Sequence, residues 1–175
     1  GFQNVKKLSA EKEELEQKVT DLTEENNQLV QEQQELQRLQ ELYQLDQSYS
    51  EYEKVAAQVI SKDPGNWYDT FMINRGSADG IRVDNNVLAD KGLVGIVTEV
   101  GTHWATVRSI IDDSSNVSAM TVSTQDNCVV EGDLELIDEG KLSFSQLYDQ
   151  DNKVTVGERI VTSNISEKYV EGLFI

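Results

Sequence analysis

VKKLSAEKEELEQKVTDLTEENNQLVQEQQELQRLQELY, residues 5–43, decides the architecture. Leu8, Leu15, Leu22, Leu29 and Leu36 recur at intervals of seven, and Tyr43 takes the next step. Neither Gly nor Pro interrupts them. A heptad series of this length marks a coiled-coil helix, because seven residues return a slightly underwound helix to the same face. At ~1.5 Å per residue the helix makes a rod on the order of 70 Å long. We place it at residues 1–54, as a stalk or an oligomerisation arm.

With the leucines at heptad position d, position a falls on Val5, Lys12, Val19, Asn26, Gln33 and Gln40. Val5 and Val19 are its only apolar members, so the seam is weak. A buried Asn at a, here Asn26, favours a parallel dimer at a cost in stability. Glu11 and Glu16 face each other as like charges in that dimer and add nothing. The residues expected to join two copies are Leu8, Leu15, Val19, Leu22, Asn26, Leu29 and Leu36. Beyond Leu36 the spacing shifts to steps of three and four through Leu39, Leu42, Leu45, Tyr49 and Tyr52, where the coil ends and the last turns pack on the globular part.

After Lys54 the period of seven gives way to short apolar runs between turn residues. Strands are expected at 55–61, 70–74, 87–89, 93–100, 105–111, 118–123, 128–132, 134–137, 141–147 and 159–163, with another starting at Leu173. Between them stand Asp63-Pro64-Gly65-Asn66, Asp79-Gly80, Asp90-Lys91-Gly92, the run 112–116, Glu139-Gly140 and Asp151-Asn152. Gly80-Ile81, Val87 and Gly92-Leu93 are echoed by Gly157, Ile160-Val161 and Gly172-Leu173. The expected fold is mainly β with one long N-terminal α-helix: a coiled-coil stalk followed by two small β-barrels. The first barrel spans 55–112. The second spans 113–175, is C-terminally truncated, and either follows the first or interleaves with it. With no Gly or Pro between Tyr52 and Val55, the helix is expected to enter the first strand stiffly.

Composition narrows the function. The chain of 175 residues carries a net charge of −17. Residues 55–175 hold 9 Lys/Arg against 19 Asp/Glu. A polyanion is repelled by that field, which excludes nucleic acid as a partner. Cys128 is the only cysteine, so neither a disulfide framework nor a cysteine-rich zinc site fits one chain. The chain opens Gly1-Phe2-Gln3 and stops inside the apolar run Gly172-Leu173-Phe174-Ile175, and reads as a fragment cut within a helix and within a strand.

The order and spacing of several motifs resemble the rod shape-determining MreC family, in its extracytoplasmic region. These are Val55-Ala56-Ala57-Gln58-Val59-Ile60, Asp63-Pro64-Gly65-Asn66-Trp67, Asn74-Arg75-Gly76-Ser77-Ala78-Asp79-Gly80-Ile81, Gly92-Leu93-Val94-Gly95-Ile96-Val97, Val107-Arg108-Ser109-Ile110-Ile111-Asp112 and Gly157-Glu158-Arg159-Ile160-Val161-Thr162-Ser163. Low Pro content and acidity resemble a Gram-positive version. The resemblance implies a single membrane span before Gly1, a stalk, two β-barrels and a place on the outer face of the bacterial cytoplasmic membrane. It also implies a scaffold of the cell-wall elongation machinery, with MreD, RodA, a class B penicillin-binding transpeptidase and MreB as partners. The chain departs from the family pattern at Asn164, usually Gly, and at Val170, usually Pro, which leaves that loop less rigid.

Catalysis is not expected. His103 is the only histidine, and no glycine-flanked serine provides a shaped nucleophile turn. Asp149-Gln150-Asp151-Asn152-Lys153 starts like a calcium loop, then puts Val154 where Gly is needed and Ile160 where a bidentate Glu belongs, so a polar hairpin is the better reading. The glycines at 76, 80, 92 and 95 open no helix that would hold a phosphate. No cofactor or metal is expected. The leading function is a non-enzymatic scaffold, with a periplasmic adaptor of an efflux or secretion system as the alternative. An acidic chain beside a polyanionic wall must bind partners through apolar surface. Trp67, Tyr68, Phe71, Tyr169 and Phe174 are the aromatic candidates for docking the transpeptidase, those that prove exposed.

Overall fold

The computed structural model describes residues 1–62, 69–89 and 92–175. The chain divides into two compact units, Gly1–Gln47 and Ser48–Ile175.

The first unit is helical. Helix α1 runs Phe2–Ser48, 47 residues, and buries none of them. Leu, Glu, Gln and Lys dominate it, and these straight-chain residues lose little rotamer freedom in a helix. Its polar faces are tied one turn apart: Lys12 to Glu16 at 3.8 Å, Lys18 to Glu14 at 3.3 Å, Gln17 to Asp21 at 2.9 Å, Gln28 to Glu32 at 3.0 Å and Gln37 to Glu41 at 3.1 Å. Each exposed pair adds only ~0.2–0.5 kcal/mol. The helix stops at Ser48 rather than running to 54. Tyr49 explains the difference, because it is buried and its hydroxyl accepts the Phe174 amide at 3.2 Å. Its carbonyl takes the Tyr52 amide at 3.2 Å and Lys54 Nζ at 2.8 Å, which closes a turn where a further helical turn would have formed. Residues 53–58 are irregular, so the helix does not run directly into the first strand, which begins at Val59 rather than Val55.

The described residues of the second unit form nine strands: β1 Val59–Lys62, β2 Thr70–Ile73, β3 Asn86–Ala89, β4 Gly92–Val100, β5 Ala105–Ser109, β6 Asn116–Thr121, β7 Asn127–Glu131, β8 Ser143–Ser145 and β9 Ile160–Thr162. They form two antiparallel sheets, ordered β1-β2-β5-β4-β3 and β8-β7-β6-β9. Strands β5, β6 and β7 alternate buried and less buried residues, the period-2 pattern of a sheet with one face on a core. Ile73, Val97, Ala105 and Val107 form the first core, with Phe71, Ile81, Val87 and Val100 packed around it. Val117, Ala119, Cys128, Val130 and Val161 are buried from the second sheet.

No backbone ladder closes either sheet into a barrel among the described residues. The outer strands run three or four residues, so their ladders end before the sheets can curl shut. The strand expected at 134–137 is absent. Asp133 Oδ1 accepts the Glu135 amide at 2.9 Å, its carbonyl takes the Leu136 amide at 3.2 Å, and a 3-10 turn Ile137–Glu139 comes next. An aspartate that bonds its own downstream backbone competes with strand pairing. The two halves of the glycine echo are both antiparallel neighbours: β3 pairs with β4, and Val161 bridges Phe174.

Candidate interaction surfaces

The heptad face is the largest apolar feature of the helical unit. Leu8, Leu15, Leu22, Leu29 and Leu36 are each between 55% and 64% exposed, and Val19 is equally open. A helix of this length with a continuous exposed apolar stripe has nothing within its own unit to cover it. Among the described residues no helix is long and apolar enough to cross a membrane.

The five docking aromatics separate. Trp67 and Tyr68 lie outside the described residues. Phe71 packs against the first core. Tyr169 is 6% exposed. Burial pushes its phenol up, while the Arg108 guanidinium and Ser115 hydroxyl beside it pull the other way. Phe174 is 38% exposed with its ring 5.8 Å from the Arg159 guanidinium carbon, a cation–π contact. The described members therefore form no single patch, and Tyr169 is core.

Elsewhere in the second unit Tyr52, Phe144 and Tyr148 are also open. Phe144 and Tyr148, at β8 and just beyond it, are 53% and 61% exposed. The orientation of Phe144 reflects Ser143 and Ser145, whose hydroxyls donate to the Glu131 carbonyl and carboxylate of β7. Phe144, between them, points the other way by strand alternation. The signal in the sequence was the pair of serines flanking Phe144, since small polar residues on the inner side leave the aromatic outside.

Of the residues weighed for chemistry, Asp112 and Asp149 close turns. His103 lies exposed in the β4–β5 loop. Asp112 accepts the Ser114 amide at 2.7 Å and its hydroxyl. Asp149 accepts the Lys153 and Val154 amides at 2.9 and 3.2 Å, closing a polar turn. Among the described residues no three His, Cys, Asp or Glu side chains gather as metal ligands.

Glu158 bonds Ser123 across the second sheet, taking its amide at 2.8 Å and its hydroxyl at 2.7 Å. These bonds, the backbone one first, hold the Glu158 carboxyl below the usual range. A depressed native value stabilises the fold above the unfolded pKa and loses that contribution as pH falls through the native one. Glu158→Gln should therefore melt earlier than the parent at neutral pH, and the gap should close on acidification below the ordinary carboxylate range. A gap of constant size measured by circular dichroism across that range would refute the assignment.

The family described as "Rod shape-determining protein MreC, barrel core" matches residues 59–175, which contain both sheets. The chain belongs to the MreC family. The cell shape-determining MreC of Listeria monocytogenes is 31% identical over 99% of this chain and 55% of its own length, and that of Bacillus subtilis 29% identical over 91% and 54%. The chain thus spans about half the length of these MreC relatives. An Escherichia coli MreC matches over 69% of the chain. The longer matches to Listeria and Bacillus agree with the Gram-positive version of the family read from composition. A solved structure of MreC from Listeria monocytogenes superposes with a TM-score of 0.60 at 33% identity, covering 88% of this chain and 77% of that one. MreC from Pseudomonas aeruginosa gives 0.60 at 23% identity over 70% and 77%, which shows the shared fold.

Proposed function

We propose that this chain is the extracytoplasmic part of a membrane-anchored scaffold that helps set cell shape by organising peptidoglycan synthases, with no reaction of its own. The observation that carries this reading is the MreC match over both sheets. In this reading α1 pairs in parallel with a second copy through Leu8, Leu15, Val19, Leu22, Asn26, Leu29 and Leu36. An exposed heptad stripe supports that pairing. The second unit then presents its surfaces to MreD, RodA and a class B penicillin-binding transpeptidase, in a complex linked across the membrane to MreB. In the second unit Phe174, Tyr52, Phe144 and Tyr148 are the described aromatics open enough to dock an apolar partner. With the chain at net −17, charge serves to exclude wrong partners rather than to bind the anionic wall.

The test joins the chain to a membrane-spanning segment in a rod-shaped Gram-positive bacterium that lacks its own MreC, followed by crosslinking and recovery from membranes. Rods should be restored and the transpeptidase recovered with the chain. Round cells despite normal expression, or recovery without any wall synthase, would sink the proposal.

A further inference from the structure

Residues 168–174 come after both sheets in the chain and hydrogen-bond to each of them. On the second sheet their anchor is Thr162, which is fully buried. Its carbonyl accepts the Gly172 amide at 2.9 Å, its amide donates to the Leu173 carbonyl at 2.8 Å, and its Oγ1 accepts the Leu173 amide at 2.8 Å. Thr162 Oγ1 also donates to the Val170 carbonyl. Every polar group of this one residue is thus bound by the segment.

Attachment to the first sheet is of another kind. Asn86 on β3 donates from Nδ2 to the Lys168 carbonyl at 2.8 Å and accepts the Val170 amide on Oδ1 at 2.8 Å. A carboxamide presents donor and acceptor side by side, as a peptide group does, so the side chain imitates a neighbouring strand. Both bonds face solvent. The third link is the Leu93 amide of β4, which donates to the Phe174 carbonyl at 2.8 Å. A Cβ on Gly92 would lie 2.3 Å from that carbonyl oxygen, so only glycine lets the segment come this close. Phe174 also bridges Val161 of β9, and one residue therefore connects the two sheets.

We propose that residues 168–174 form a strap, anchored on the second sheet by Thr162 and latched to the first by Asn86. With the latch closed the two sheets move as one body. With it open the strap stays on the second sheet, its hold on the first is loosened, and the sheets reorient over a wider range. The Asn86 bonds are the exposed part of the attachment and are replaced by water at small cost, whereas the Leu93 bond and Tyr169, buried beside Arg108 of β5 and Ser115, resist opening. Val170 contributes an N–H that a proline at that position could not supply.

The test uses amide hydrogen exchange and residual dipolar couplings on the 175-residue chain, its Asn86→Ala variant and its Val170→Pro variant. In the parent, couplings from β4–β5 and from β6–β7 should fit one alignment frame. In Asn86→Ala they should need two, and the Leu93 amide should exchange roughly tenfold faster or more, the equivalent of two lost surface hydrogen bonds. Thr162 and the β4–β5 amides should keep the parent's rates. Val170→Pro removes one of the two bonds and should move Leu93 in the same direction by less. A Leu93 rate unchanged in both variants overturns the latch. So does a parent that already needs two frames, or a loss of protection spread over both sheets, which would make Asn86 a residue of the fold as a whole.

Discussion

Replacing Asn26 and Gln33 with valine tightens self-association of the chain by on the order of 100-fold, read from sedimentation equilibrium over a wide concentration range. In the proposed parallel pair, with the register set by Leu8 to Leu36, both positions would face the partner. A valine taken out of water contributes ~1.5 kcal/mol or more, and a dimer gains four of them. Lost polar pairing across the seam and the side-chain entropy of packing take back part of that sum, which leaves about 3 kcal/mol. The parent should show a monomer–dimer equilibrium that shifts with concentration. If the double variant associates no more tightly, the leucines do not define the seam. A tight tetramer at every concentration in the parent would falsify the parallel pair outright.

Thr162→Val should lower the stability of the second unit by about 1–3 kcal/mol, chiefly because the buried Leu173 amide loses its acceptor. Valine matches threonine in shape, so no cavity contributes and the loss reports the hydroxyl alone. The melting temperature should fall by several degrees, given ~2–8 °C per kcal/mol for domains of this size range. A change under ~0.5 kcal/mol in urea titration, the ordinary range for a surface substitution, would mean that Thr162 is not the anchor of 168–174.

The parts of this fold visible in the sequence were those fixed by local period and local turns. Seven-residue spacing from Leu8 to Leu36 sufficed for α1, and Asp79-Gly80, the run 112–116 and Gly157 punctuate the strands where turns occur. Errors arose where a contact from far away, or a side chain close by, outweighed pattern. Tyr49 leaves the helix because it meets Phe174, and leucine spacing carries no trace of a residue 125 positions later. Leu134-Glu135-Leu136-Ile137 has strand-like alternation, yet Asp133 had already turned the backbone. Among docking candidates, residue type alone could not separate Tyr169, which is core, from Phe144, which is open. Asn86 and Thr162 carry no local sign of their role, because an asparagine and a threonine on edge strands look ordinary until residues 168–174 are folded beside them.

The order of synthesis is set by where those partners lie. Asn86 bonds residues 82 and 84 positions downstream of itself. At about 5–20 residues per second, roughly 4–17 s pass on the ribosome between the emergence of Asn86 and the arrival of its partners. The five strands of the first sheet are all out before that interval ends. The nascent chain must therefore hold its first sheet with the Leu93 amide and the Asn86 carboxamide facing water until residues 168–174 arrive to join it to the second.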